Sequence, residues 1–316
     1  MVLVSVVGSH AALEFYESFN YPTAGVQLSS AGSPSWGLYT GGGVDPKIAA
    51  GSLSYPGLVT SAGDNSLTYD GLGGTATGLA SRNLSQTYNI GNVSTLYYSL
   101  TFKVTAISAT DWGGSAANYN AGSFMAGFSQ KLSNGTALTQ PDVGAPLLIR
   151  TGNPANTGGT ANGFQQYQLG TGITASTTTS PTSRVFDGAN NYNIGDTLFL
   201  VLSYTFGAGT ADDVAKLYVN PTPGSLEGAN TPVVSATAFT DIANNQIQSF
   251  FLRNNSVEPQ STVIDDLRVG TTWSDVTPAP VPEPSSISIL ILGLTGALIR
   301  RKQKCKDSRP PAAAAP

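Results

Sequence analysis

The chain has 316 residues; 11% are charged and 40% hydrophobic, with 36 glycines and a formal net charge of −4. That hydrophobic share supports a sizeable core and excludes wholesale disorder. One histidine, His10, and one cysteine, Cys305, lie near the two ends. The body between them cannot build a disulfide framework, a Cys/His zinc site or a His-dependent catalytic triad.

In chain order, Met1–Val7 is apolar and Ser9-His10-Ala11-Ala12 offers small residues suited to signal-peptidase cleavage. A first β-strand is the plain alternative. We read residues 1–12 as a secretory signal peptide with part of its leading end missing. Cleavage would leave a body with neither His nor Cys, in keeping with an extracellular destination without disulfides.

Residues 13–277 read as all-β. Leu96, Tyr98, Leu100, Phe102 and Val104 alternate with Tyr97, Ser99, Thr101 and Lys103, a period of two that predicts a strand with one face on a core. Thr197–Phe206 is apolar on both faces, as expected of a central sandwich strand. Lys216–Asn220 predicts a short strand that Pro221 ends. Ile247–Arg253 and Thr262–Val269 follow with similar patterns, and Asp212-Asp213 and Asn244-Asn245 punctuate them as turns. No capped helical stripe and no fixed repeat occur, so about a dozen strands in a single sandwich are predicted.

Chemistry-bearing residues are sparse. A glycosidase needs two carboxyls about 5 to 9.5 Å apart across a cleft. Glu14 and Glu17 are three apart, and Asp265 and Asp266 adjacent, so strand alternation aims each pair at opposite faces. One of the two aspartates reads as a structural partner of Arg268 or Arg253. Asp187-Gly-Ala-Asn-Asn-Tyr-Asn-Ile-Gly-Asp196 is rich in oxygen donors; Asp187, Asn191, Asn193 and Asp196 could hold calcium, and a polar loop is the plain reading. No other cofactor is expected. Trp36, Trp112, Tyr119 and Tyr192 lie in Gly/Asn/Ser-rich stretches, where exposed rings would suit a glycan face. Trp273 is expected to pack on the sandwich.

The C-terminal segment is the most informative. Residues 278–284 alternate proline with Ala279, Val281 and Glu283, a stiff extended spacer. Ser285–Ile299 is apolar and uncharged, and Arg300, Arg301 and Lys302 follow at once. At about 1.5 Å per residue it reaches roughly 22 Å, short of the roughly 30 Å hydrocarbon layer. We read 285–299 as a transmembrane helix and 300–316 as a basic cytoplasmic tail, which leaves the body outside. Six basic residues lie in the last 17 positions; the first 299 residues carry 9 basic against 18 acidic side chains, a net of −9. Such a body repels phosphate backbones, so a nucleic-acid partner is disfavoured.

Val281-Pro282-Glu283-Pro284-Ser285, the short apolar run and the Arg300-Arg301-Lys302 cluster together resemble the PEP-CTERM sorting signal of exported Gram-negative proteins. The resemblance implies an exosortase as partner, transient membrane anchoring and release to the cell surface or matrix. Glu17–Pro22, Ala50–Leu58, Lys216–Ser225 and Ile264–Trp273 are similar to phrases in such proteins, whose bodies resemble concanavalin A-like (laminin-G-like) jelly rolls. That implies a closing strand at Ile264–Val269 lying beside the first strand. The expectation is a non-enzymatic exported protein, with exopolysaccharide as a candidate partner. A glycan-cleaving enzyme with an atypical site and a purely structural surface module are the alternatives.

Overall fold

The computed structural model describes residues 13–280 except 40–44, 62–64, 71–77, 108–121, 133–137, 152–165, 176–182, 238, 255–258 and 260. The predicted signal peptide, PEP motif, apolar run and basic cluster lie outside the described residues. The chain divides into two units, Met1–Ala279 and Pro280–Pro316. Every described element belongs to the first. Among the described residues no helix is long and apolar enough to cross a membrane.

The elements in order are β1 (Leu13–Glu17), α1 (Leu28–Ala31), β2 (Gly37–Leu38), β3 (Lys47–Ala49), β4 (Ser66–Asp70), β5 (Gly78–Tyr88), β6 (Thr95–Ala106), β7 (Ser123–Ser129), β8 (Val143–Thr151), β9 (Gln166–Gly172), β10 (Arg184–Phe186), β11 (Tyr192–Asn193), β12 (Leu198–Thr205), β13 (Val214–Val219), β14 (Val234–Ala236), β15 (Ile247–Asn254), β16 (Ser261–Gly270) and α2 (Trp273–Val276). They form two eight-stranded antiparallel sheets packed as a sandwich. Sheet A runs β14-β13-β12-β6-β16-β4-β3, with β1 also on β16. Sheet B runs β10-β9-β8-β7-β15-β5-β2, with β11 also on β9.

The first and last strands are neighbours, as expected: Phe15 pairs with Val269 and Glu17 with Leu267. This brings the two ends of the body together. Between the sheets lies the main core, where Tyr98, Phe128 and Phe250 meet edge to face. Such contacts add to the transfer free energy of the rings.

β12 is central, as predicted. Leu198, Leu200, Leu202 and Tyr204 enter the main core, while Phe199 and Val201 join a second cluster on the outer face of sheet A. Leu58, Trp273 and Val276 complete that cover. The same cover corrects the reading of β6. Its polar face was expected in solvent, yet Tyr97, Ser99 and Thr101 are buried as well. Ser99 Oγ donates to Val276 O at 2.6 Å, so α2 lies over this face. Trp273 packs as expected, edge-on to Tyr97 and Tyr218.

Candidate functional site

Of the four aromatics read as a possible glycan platform, the two described ones, Trp36 and Tyr192, pack against their neighbours. Trp36 is 1% exposed: its indole N–H donates to Glu17 Oε2 at 2.8 Å and its ring meets Phe15 edge-on. It is core, because Glu17 at the end of β1 gathers donors from Trp36, Tyr21 and the Phe19 amide. Tyr192 is half-buried, tilted against Tyr167, and donates its hydroxyl to Asp187 Oδ2 at 2.6 Å. Burial and that carboxylate push its pKa upward. Trp112 and Tyr119 lie outside the described residues.

The four residues read as possible calcium ligands are engaged by neighbouring side chains. Asp187 accepts from Tyr192 and from Asn190 Nδ2 at 2.8 Å. Asn191 Oδ1 accepts from Gln168, Asn193 Oδ1 from Gln166, and Asp196 Oδ2 from Asn193. These bonds fasten the 187–196 segment to β9, an arrangement that suits the polar-loop reading.

Glu14, Asp265 and Asp266 are each engaged by neighbouring donors. Glu14 is held by the Ser85 amide and hydroxyl and by the Tyr88 hydroxyl. Asp265 and Asp266 are both buried, which corrects the opposite-face expectation, because a bulge in β16 with Asp266 at φ +51° interrupts the alternation. Asp265 Oδ2 accepts from the Leu53 amide at 2.8 Å, and Asp266 Oδ1 from the Tyr16 hydroxyl at 2.6 Å. Arg268 stands 3.9 Å from Asp266 and stacks on the Tyr16 ring.

The feature that sequence reading missed lies on the outer face of sheet B. Tyr39, Phe124, Leu148 and Phe251 form a cluster there, apart from the main core. Three arginines from three strands lie on this face, two of them against the start of β7. Arg253 of β15 stacks 4.1 Å from the Phe124 ring centre and donates to Ser123 Oγ and Phe124 O. Arg150 of β8 stacks 4.2 Å from the Phe186 ring centre and donates to Gln168 Oε1 at 2.8 Å. Arg184 of β10 donates to Gly122 O at 2.9 Å.

Burial, and then the charge of Arg253, bring the Arg184 pKa down to about 10. Burial also lowers that of Arg150. The planar guanidinium pairs two-pronged with carboxylates, and held flat on a ring it keeps that fork pre-oriented. Separations of 34 and 69 residues left no local pattern to read. A one-dimensional clue did exist, since these are three of only nine basic residues in the first 299.

A second feature is a polar groove of about 300 Å³ lined by Pro34, Ser35, Gly37, Arg82 and Asn83. Arg82 is committed there, stacked 4.3 Å from the Phe15 ring centre and 3.5 Å from Glu17.

No family model matches the chain, and no curated protein does. Solved structures do. A point mutant of the Emp46p carbohydrate recognition domain is 12% identical, at a TM-score of 0.39, over 82% of this chain and 97% of that one. Peanut lectin with a nine-residue peptide is 10% identical, TM-score 0.39, over 82% and 97%. The marine PL7 alginate lyase AlyA1 from Zobellia galactanivorans is 15% identical, TM-score 0.38, over 74% and 92%.

Proposed function

We propose that this chain is an exported, non-enzymatic surface or matrix protein whose jelly-roll body binds acidic polysaccharide. The observation that carries the reading is the placing of Arg150, Arg184 and Arg253 on one face of sheet B, with Arg184 and Arg253 bonded to Gly122–Phe124 and Arg150 stacked on Phe186. The charge of Arg253 acts on Arg184, and the planar guanidinium is the side chain whose fork matches a carboxylate. The rest of the body is acidic, which works against a dense polyphosphate and favours a chain of lower charge density such as a polyuronate.

Among the described residues, Glu14, Glu17, Asp265 and Asp266 are tied into structural hydrogen bonds. That supports binding over hydrolysis. The export half of the reading rests on the resemblance of Val281–Ser285, the apolar run and Arg300–Lys302 to a PEP-CTERM signal. It places an exosortase and the membrane among the partners, and the cell surface or matrix as the destination.

Affinity electrophoresis through polygalacturonate and through neutral dextran tests the binding. Retardation is expected in polygalacturonate alone, falling as salt screens the contact. The Arg184→Gln/Arg253→Gln double variant should migrate freely, and Arg82→Gln should be retarded like the parent. Equal retardation in dextran, or none in either gel, overturns the binding site. Shortening of the polymer on incubation overturns the non-enzymatic reading.

A further inference from the structure

A second charged cluster lies apart from the arginines, where the β12–β13 connection meets the β14–β15 connection. Oxygens of Asp212, Asp213 and Asp241 lie there within 4.8 Å of one another. Asp213 and Asp241 are buried, at 0% and 8% exposure, and Asp212 is exposed. None of the three joins an ion pair among the described residues; those seen are Arg82–Glu17, Lys131–Asp142, Lys216–Glu227 and Arg268–Asp266.

The surroundings hold the carboxylates in place. Asp213 accepts from the Gly207 amide at 2.6 Å and from the Tyr204 hydroxyl. Tyr204 in turn accepts from the Ile242 amide at 3.1 Å, joining β12 to the second connection. The Asp213 amide donates to Asp241 Oδ1 at 3.1 Å, and the Gly209 amide to Asp212 Oδ2 at 2.7 Å. Gly207 allows the close approach, since a Cβ there would collide with the Asp212 carboxylate.

One oxygen remains unexplained. Asp241 Oδ2 is buried and has no hydrogen-bond partner. Four residues on, Asn245 Oδ1 is also buried without a partner, while its amide nitrogen donates to Gly207 O. Burying an unpartnered carboxylate oxygen is costly, and two like charges beside it add to the cost.

We propose that Asp212, Asp213 and Asp241 hold a calcium ion that pins the β12–β13 connection to the β14–β15 connection. The donors are all hard oxygens, which select Ca²⁺ or Mg²⁺ over softer metals. An irregular set that mixes buried and exposed carboxylates suits the flexible coordination of calcium better than the strict octahedron of magnesium. This site differs from the 187–196 loop in holding a buried carboxylate oxygen, Asp241 Oδ2, without a hydrogen-bond partner among the described residues.

Terbium luminescence of the full chain, excited through tyrosine, tests the proposal. Tyr204 stands against the site, so bound Tb³⁺ should emit and Ca²⁺ should displace it. Asp241→Asn keeps the shape and the Oδ1 acceptor; Asp212→Asn changes an exposed side chain and preserves the fold. Each should weaken Tb³⁺ binding at least ten-fold. Asp187→Asn and Asp196→Asn should leave it unchanged. Ca²⁺ should also raise the melting temperature of the parent and fail to do so for Asp241→Asn. Absence of sensitised emission, emission insensitive to the Asp212 and Asp241 variants, or emission lost in the Asp187 or Asp196 variants would overturn it.

Discussion

Gly122 sits at φ +65°, and a Cβ there would stand 2.5 Å from Ile149 O and 3.0 Å from Arg150 Cβ. Only glycine takes that backbone without strain while leaving room for β8. Its carbonyl also receives Arg184, so one small residue sets both the entry to β7 and the reach of an arginine. Gly122→Ala should destabilise the body by about 2 kcal/mol and weaken polygalacturonate retardation. Urea titration followed by tryptophan fluorescence, with the gel assay beside it, measures both; an unchanged midpoint with unchanged retardation would refute the role. Residue-level reading of the sequence was weakest for the aromatics. Trp36 lies among glycines and serines, which usually signal a loop, yet Glu17 from β1 captures its indole and buries it. A partner 19 positions away leaves no trace in local composition.

At the scale of elements, period and apolarity were reliable for β12 and β13, because these strands carry the alternation or the double-sided apolarity that a sandwich interior demands. They misled for β6. Tyr97, Ser99, Thr101 and Lys103 read as a wet face, but α2 covers part of it. The cover leaves Thr101 Oγ1 buried without a partner. Thr101→Val keeps the shape and removes an unmatched hydroxyl, so it should stabilise by about 1 kcal/mol. A thermal melt of the variant reads this directly, and a lower melting temperature would show that the hydroxyl is satisfied after all. The β16 bulge is a second case: strict alternation would split Asp265 from Asp266, whereas the extra residue lets both find donors in segments distant in sequence.

For the whole molecule, the charge asymmetry emerges only over the chain's full length: a body of net −9 and a short tail holding six basic residues. If that tail is the topology signal and Pro282-Glu283-Pro284 the recognition motif, the double change Pro282→Ala/Glu283→Ala should block processing. In the native host the variant would then stay at the membrane with its C-terminus intact, while the parent is recovered without residues after the motif. Mass mapping of the mature termini distinguishes the two, and recovery of the parent full-length from the cytosol would refute the export reading. The sequence by itself determined the β class, the single body, the pairing of first and last strands and the lack of His or Cys chemistry, because each follows from composition, from a short-range period or from the resemblance of the closing phrase. The tertiary structure alone decided which polar residues are buried, that Arg150, Arg184 and Arg253 share one sheet face, and that Asp241 joins Asp212 and Asp213. The physical reason is that antiparallel pairing and sheet stacking bring together residues tens of positions apart, and one-dimensional patterns carry no record of which strand lies beside which.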